Sequence, residues 1–306
     1  MDMEDIGIET TEAALNEMRE RKRSRRAAIG AGVAAIAGFA FGAGRPAEAQ
    51  TAVSDFDILN FALNLEYLEA QYYTLAYQGV TIDKVGIGIT GPGGAPGGAI
   101  IVRSNPIVPF TTPLLKQFAS EVAAEEAIHV TFLRTALGSA AVAQPEIDLM
   151  NSFSALASAA GLGSGFDPFA SELNFLLGAF VFEDVGVSAY LGAVGLITAP
   201  PYLDAAVGLL GTEGYHSATI RSRVFALGAA AQQAATAISA TRAKLDGTGN
   251  DDVGLGVTSS GASTIACADA NGLAFARSTA QVLGIVYGGG TGKGAFFPGG
   301  LNGNIR

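Results

Sequence analysis

The chain has 306 residues, 49% of them hydrophobic and only 15% charged, so it can bury a full core and is not a disordered chain. Its 18 basic and 28 acidic residues give a net charge of −10, with no basic tract beyond residue 26. A phosphate backbone finds no footprint there, and nucleic acid is not an expected partner. The single cysteine, Cys267, rules out an internal disulfide and a Cys-x-x-Cys metal ribbon, while 41 glycines announce long irregular segments.

The first element is an address. Residues 19–26 read R-E-R-K-R-S-R-R, a Gly/Ala-rich apolar run follows from Ala27 to Gly44, and Ala47-Glu48-Ala49 closes it. A cationic region, an apolar region and a small-x-small site are the parts of an export signal. Arg25-Arg26 after Ser24 resembles the twin-arginine version, with Ala28 where a bulky apolar residue is usual. The run is weakly hydrophobic for a spanning helix. Residues 1–49 are therefore expected to be cleaved after Ala49, leaving a periplasmic or secreted protein without a transmembrane anchor.

Four segments then carry apolar residues at three- and four-residue spacing over helical lengths, at about 54–78, 112–138, 170–197 and 202–245. Ser54 and Asp55 can cap the first, Thr112 with Pro113 can open the second, and Ala199-Pro200-Pro201 must separate the third from the fourth. Residues 79–111, with G-P-G-G-A-P-G-G, form a long surface insertion. Residues 139–169 form a crossover with a short helix near 147–160. The expected fold class is all-α: two helix pairs joined by a long crossover make a four-helix bundle over 50–245. Residues 246–306 are a Gly-rich, irregular C-terminal extension packing on it, with a short helix around 278–287.

Beyond the signal the chain has two histidines, and each has a glutamate three residues before it: Glu126-Ala127-Ile128-His129 and Glu213-Gly214-Tyr215-His216. Three residues turn a helix by about 300°, so both side chains of each motif project from one face and can reach one ion. Both motifs sit inside apolar stripes, among Val122 and Leu133 in the second segment and Leu209 and Ile220 in the fourth. The first and third segments each add one carboxylate to their stripe, Glu66 and Glu183. Ionised carboxylates buried together require a cation. A Glu from each of two helices and a Glu-x-x-His from each of the other two is the donor set of di-iron and di-manganese carboxylate bundles. Glu66, Glu126, Glu183 and Glu213 carry four negative charges, which two divalent ions cancel. Imidazole and carboxylate suit iron or manganese. Tyr73 and Tyr190 each lie seven residues after the single glutamate, and Arg134 and Arg221 each five after a histidine, as in a duplicated helix pair.

The core resembles the ferritin-like superfamily, and within it the desiccation-related ferritin-like domain proteins and their exported bacterial relatives. The likeness rests on D-F-D-I-L-N-F-A-L-N-L-E-Y-L-E-A-Q-Y-Y at 55–73, on N-G-L-A-F-A-R-S-T-A-Q-V-L-G-I-V-Y-G at 271–288 and on F-F-P-G-G-L-N-G at 296–303. It implies a ferritin-like four-helix bundle with a dinuclear site at Glu66, Glu126, His129, Glu183, Glu213 and His216.

Other residues have two readings. Glu69 also lies on an apolar stripe and is either an additional ligand or an acid behind the site. Asp184 and Glu125 read as surface groups or supports of the ligands rather than ligands. Tyr73 and Tyr190 are packed aromatics or hydrogen-bond donors to the ligand carboxylates. Arg134 and Arg221 read as structural, Cys267 as a small hydrophobe. The loop G-P-G-G-A-P-G-G has no helix behind it and no Lys-Ser/Thr, so it is not a phosphate loop.

The expected function is that of a di-metal oxidoreductase acting on peroxide or dioxygen under oxidative or desiccation stress. Manganese favours catalase-like disproportionation, iron an oxidase or peroxidase. Electron delivery of the rubrerythrin type needs a thiolate centre that one cysteine cannot build, and the insertion and tail do not resemble a ferritin cage subunit. The alternative is a non-catalytic protective protein whose metal is structural or lost, its tail serving self-association or contact with the envelope. A homo-oligomer is open under either reading.

Overall fold

A computed structural model describes residues 53–249 and 251–306; the expected export signal lies outside them. Helices α1 (Asp55–Gln78) and α2 (Pro113–Leu137) pack as one long pair. Helices α4 (Glu172–Val194) and α5 (Pro200–Ala226) pack as the other. Between the pairs stands the short α3 (Asn151–Ala159), and beyond them come α6 (Ala229–Leu245) and α7 (Thr279–Val286), both against α4. The two pairs make the helical bundle that the periodicity predicts.

Local chemistry fixes the ends. Ser54 and Asp57 form a reciprocal capping box at the start of α1, and Ser278 with Gln281 does the same for α7. Asp55 does not cap its own helix. Its carboxylate accepts from the backbone N–H of Thr198 and Ala199 in the α4–α5 turn, at 2.9 and 2.8 Å, which ties one helix pair to the other. Ser171 caps α4, and Pro113 and Pro200 occupy first turns, where a missing N–H costs nothing.

The expected fourth helix over 202–245 is a correction: the structure breaks it at Leu227-Gly228. Gly228 has φ of 88°, a conformation that L side chains rarely adopt, so α6 starts in a new direction. Helical periodicity runs through the break because both halves are amphipathic. The chain is also not purely helical. Ile100–Ile101 (β1) in the insertion and Ile147–Asp148 (β2) in the crossover form a short parallel pair, closing the two irregular segments on each other.

Helix α4 is buried along most of its length and lies at the centre of the core. Among the described residues it is the one helix long and apolar enough to cross a membrane by composition. Here that apolarity serves packing, with Phe175 stacked on Tyr72 at 5.8 Å and Phe182 edge-on to Phe296 at 4.9 Å. Phe296, Phe297 and Leu301 of the C-terminal extension are buried with them.

Candidate metal centre

Each of the four long helices turns one acidic position into the bundle axis. Glu66 comes from α1, Glu126 and His129 from α2, Glu183 from α4, and Glu213 and His216 from α5; all six are buried. They form two overlapping groups of donor atoms, Glu66, Glu126, His129 and Glu213 in one, Glu126, Glu183, Glu213 and His216 in the other. The six residues singled out by spacing are thus brought to one place.

The geometry assigns different positions within the set. Nδ1 of His129 lies 3.2 Å from Glu66 Oε2 and 3.3 Å from Glu126 Oε2. Nδ1 of His216 lies 3.0 Å from Glu126 Oε1 and 3.4 Å from Glu183 Oε2. Glu126 therefore offers one oxygen to each imidazole, while Glu66 and Glu183 stand at opposite ends. The ring centroids are 6.2 Å apart. Five buried carboxylate oxygens, both of Glu126, both of Glu213 and one of Glu183, have no hydrogen-bond partner, nor does His216 Nδ1. Buried polar atoms are almost always partnered. Carboxylate oxygens and an imidazole nitrogen converging without aligned hydrogen bonds fit metal cations, and oxygen and nitrogen donors suit iron or manganese.

The protonation pattern says the same. Burial pushes the Glu66 carboxyl up to about 7 against the pull of His129. Burial together with the neighbouring carboxylates holds Glu69 and Glu213 well above the usual range, and burial raises Glu183. Burial also opposes charge on Glu126, but the two imidazoles outweigh it and draw that carboxyl down. Burial opposes protonation of the histidines as well; the surrounding carboxylates nonetheless raise His129 to about 11 and His216 to about 12. The metal-free cluster thus stores protons where cation charge would stand, and a cation must displace them.

Supporting contacts follow the duplication. The Tyr73 hydroxyl of α1 donates to Glu183 Oε1 on α4, and the Tyr190 hydroxyl of α4 donates to Glu66 Oε1 on α1. Both tyrosines are therefore donors to the end carboxylates, the second of their two readings. Arg134 donates to Tyr67, the residue after Glu66, and Arg221 to Asp184, the residue after Glu183.

The acids beside the ligands support rather than ligate, as expected of Glu125 and Asp184, but their partners were not legible. Glu125 accepts from or shares a proton with His216 Nε2 at 2.6 Å, which leaves Nδ1 to face the cluster; its only sequence signal is adjacency to Glu126. Asp184 is not brought into the donor cluster: one oxygen accepts from Ser217 at 2.6 Å, and the other is taken by Arg221 and Arg242 at 2.7 and 2.8 Å. Asp252, the other acid near Cys267, is likewise held by Arg242 and Arg277, so that acid–thiol cluster is neutralised by arginine. Burial, with the nearby Asp184, raises the Cys267 thiol to about 11, in keeping with an inert side chain. Glu69 is buried beside the site yet belongs to neither donor group.

Glu69 instead borders a cavity of about 40 Å³ that ends on Glu66, Glu69, Gly186 and Tyr190. Its walls are apolar, and Ala62, Leu65, Ala189 and Ala193 at its mouth are only partly buried. The cavity's volume exceeds the roughly 10–15 Å³ that one water-sized molecule needs.

Comparison with known proteins bears on the family. The chain is 30% identical over 249 residues to the desiccation-related protein PCC13-62 of Craterostigma plantagineum, covering 76% of this chain and 77% of that one. It is 26% identical over 272 residues to the ferritin-like catalase Nec2 of Nesocodon mauritianus, covering 82% and 85%. No solved structure matches significantly. Residues 54–226, from the capping serine of α1 to the end of α5, match the ferritin-like domain family, and the chain belongs to that family.

Proposed function

We propose that the chain is an exported dinuclear metalloprotein acting on hydrogen peroxide or dioxygen, with peroxide disproportionation as the leading reaction. The observation that carries this reading is the shared donor set, two histidine-containing groups with Glu126 and Glu213 in common and five carboxylate oxygens lacking hydrogen-bond partners. The likeness to a protein named as a catalase, over most of both chains, favours peroxide.

Glu66 and His129 would hold one ion, Glu183 and His216 the other, and Glu126 and Glu213 would reach both. Bound there, a pair of iron or manganese ions would supply redox exchange with an oxygen–oxygen bond. The chain's own part is orientation and exclusion. Tyr73 and Tyr190 fix the end carboxylates, and Glu125 fixes the His216 ring. The apolar cavity beside Glu66 admits molecules of peroxide or dioxygen size and excludes larger or charged ones.

The test is elemental analysis of protein purified from its native compartment, beside a Glu126→Ala/His129→Ala variant, followed by a peroxide assay. About two iron or manganese ions per chain, lost in the variant and accompanied by metal-dependent peroxide turnover, is the expected result. A second reading, a non-catalytic protective protein with a structural metal, is favoured by the likeness to a desiccation-related protein. It predicts that chelation lowers the melting temperature while peroxide is never turned over.

A further inference from the structure

The near-duplication of the site fails one helical turn beyond the end carboxylates. Three residues after the end carboxylate, α1 carries Glu69 and α4 carries Gly186. We infer that Gly186 is a positioning residue for the metal centre: its missing side chain is the space in which the Glu213 carboxylate sits. The inference deepens the proposed metal centre and rests on it.

A Cβ at Gly186 would stand 2.0 Å from Glu213 Oε2 and 2.9 Å from its carboxyl carbon. No two such atoms coexist at that distance, so one must yield. Helix α4 cannot: it is enclosed by α1, α5, α6 and α7, and Ser188, two residues on, accepts from the Arg277 backbone at 2.9 Å. The Glu213 carboxylate, at the end of a flexible side chain, can. A methyl group here therefore leaves the fold standing and moves the ligand.

The other close-packed glycines of α4 have structural reasons. A Cβ at Gly178 would meet the Tyr72 hydroxyl at 2.4 Å, and one at Gly192 the backbone oxygen of Arg277 at 1.9 Å. At Gly186 the neighbour is a carboxylate with no hydrogen-bond partner of its own. Glycine inside a helix is disfavoured relative to alanine, and no packing need accounts for it at this position. Gly186 also borders the apolar cavity together with Glu66 and Glu69. Its absent side chain leaves the room that Glu213 takes, whereas Glu126 lies between the imidazoles.

The test uses the full chain stripped by chelation and titrated with manganese(II) alone, comparing the unaltered protein, Gly186→Ala and Gly208→Ala. Gly208 lies within α5 with nothing near its Cβ position, so it reports the general effect of glycine replacement. Gly186→Ala is expected to lose one tight equivalent or to bind about tenfold or more weakly, with a melting temperature of the stripped protein no lower than that of the unaltered chain. Gly208→Ala is expected to titrate as the unaltered protein does. Full-affinity binding of both equivalents by Gly186→Ala overturns the inference while leaving the metal centre standing. A fall in the stripped protein's melting temperature that matches the loss of metal also overturns it, by making Gly186 a folding residue. An unaltered chain that takes up no manganese overturns the centre itself.

Discussion

The α1–α2 and α4–α5 pairs present the same ligands to the centre but are braced by different chemistry. Around α1 the bracing is neutral. Asn60 exchanges hydrogen bonds with Ala140 and Val142, Gln71 accepts from Ile82 and donates to Gln144, and Asn64 pairs with Asn302. Around α4 the bracing is ionic. Arg221 and Arg242 converge on Asp184, Arg221 also donates to the carbonyls of Val253, Thr264 and Ile265, and Arg277 binds Asp246, Asp252 and Ser188. Arg242 further lies over the Phe180 ring at 4.7 Å. The insertion, the crossover and Asn302 thus brace the first pair through amides, whereas the second is braced through Arg221 of α5, Arg242 of α6 and Arg277, with acids and carbonyls of the C-terminal extension as partners. The duplicated ligand set needs the same geometry twice, but the support behind it was free to diverge.

That contrast can be broken most strongly at Asp184. Asp184→Ala takes from buried Arg221 its one carboxylate partner and from Arg242 one of two, and should cost about 3 kcal/mol in chemical denaturation, against a much smaller loss for its counterpart below. A stabilisation change under about 1 kcal/mol would mean that the arginines find other partners and the ionic bracing is dispensable.

Metal removal tests what the two pairs share. In the metal-free protein the folded state binds protons more tightly than the unfolded chain, because Glu66 is raised from 4.5 to about 7 and the histidines from 6.5 to about 11 and 12. The stability from a raised group is complete below its unfolded value and lost as pH climbs through its folded one. Stability of the stripped protein should therefore fall as pH rises from 4.5 to 7, by on the order of 3 kcal/mol from Glu66 alone, and continue to fall above 6.5 as the histidines release theirs. The metal-loaded protein should lack that slope. A flat profile for both forms, read as melting temperature against pH, would contradict the stored-proton account.

A finer asymmetry lies behind the imidazoles. Glu125, just before Glu126, anchors His216 Nε2, whereas the matching position before Glu213 is the half-buried Thr212. Glu125→Ala should weaken manganese(II) binding by about 10- to 100-fold in calorimetric titration, and Thr212→Val should leave it unchanged. Equal effects would show that the two halves are supported alike.

The smallest effect belongs to Tyr67, counterpart of Asp184. Its hydroxyl accepts from Arg134 and donates to the Val142 carbonyl at 3.3 Å. Tyr67→Phe should cost about 1 kcal/mol, and a loss as large as that of Asp184→Ala would erase the neutral-versus-ionic distinction.

Legibility divides along the same lines. The two Glu-x-x-His motifs, Glu66, Glu183 and the tyrosines seven residues on are visible because helical spacing ties them to their own helix. Glu125 and Asp184 could be noticed only as neighbours of ligands, since their partners, His216 and the arginines at 221 and 242, come from other elements. Arg242 and Arg277 carry no signal of burial, because a long cationic side chain ordinarily keeps its head in water. The break at Gly228 was hidden by continuous amphipathicity, and the β1–β2 pair by its two-residue length.

By itself the sequence determined the helical class, the two-pair order and the identity of the six residues that meet, because periodicity converts spacing into a shared face and a buried acid demands a partner. Only the tertiary structure decided which carboxylate lies between the imidazoles, which tyrosine serves which glutamate, and that Gly186 leaves room for Glu213. Those are relations between different helices, set by how the pairs dock, and no spacing within one helix encodes the distance to another.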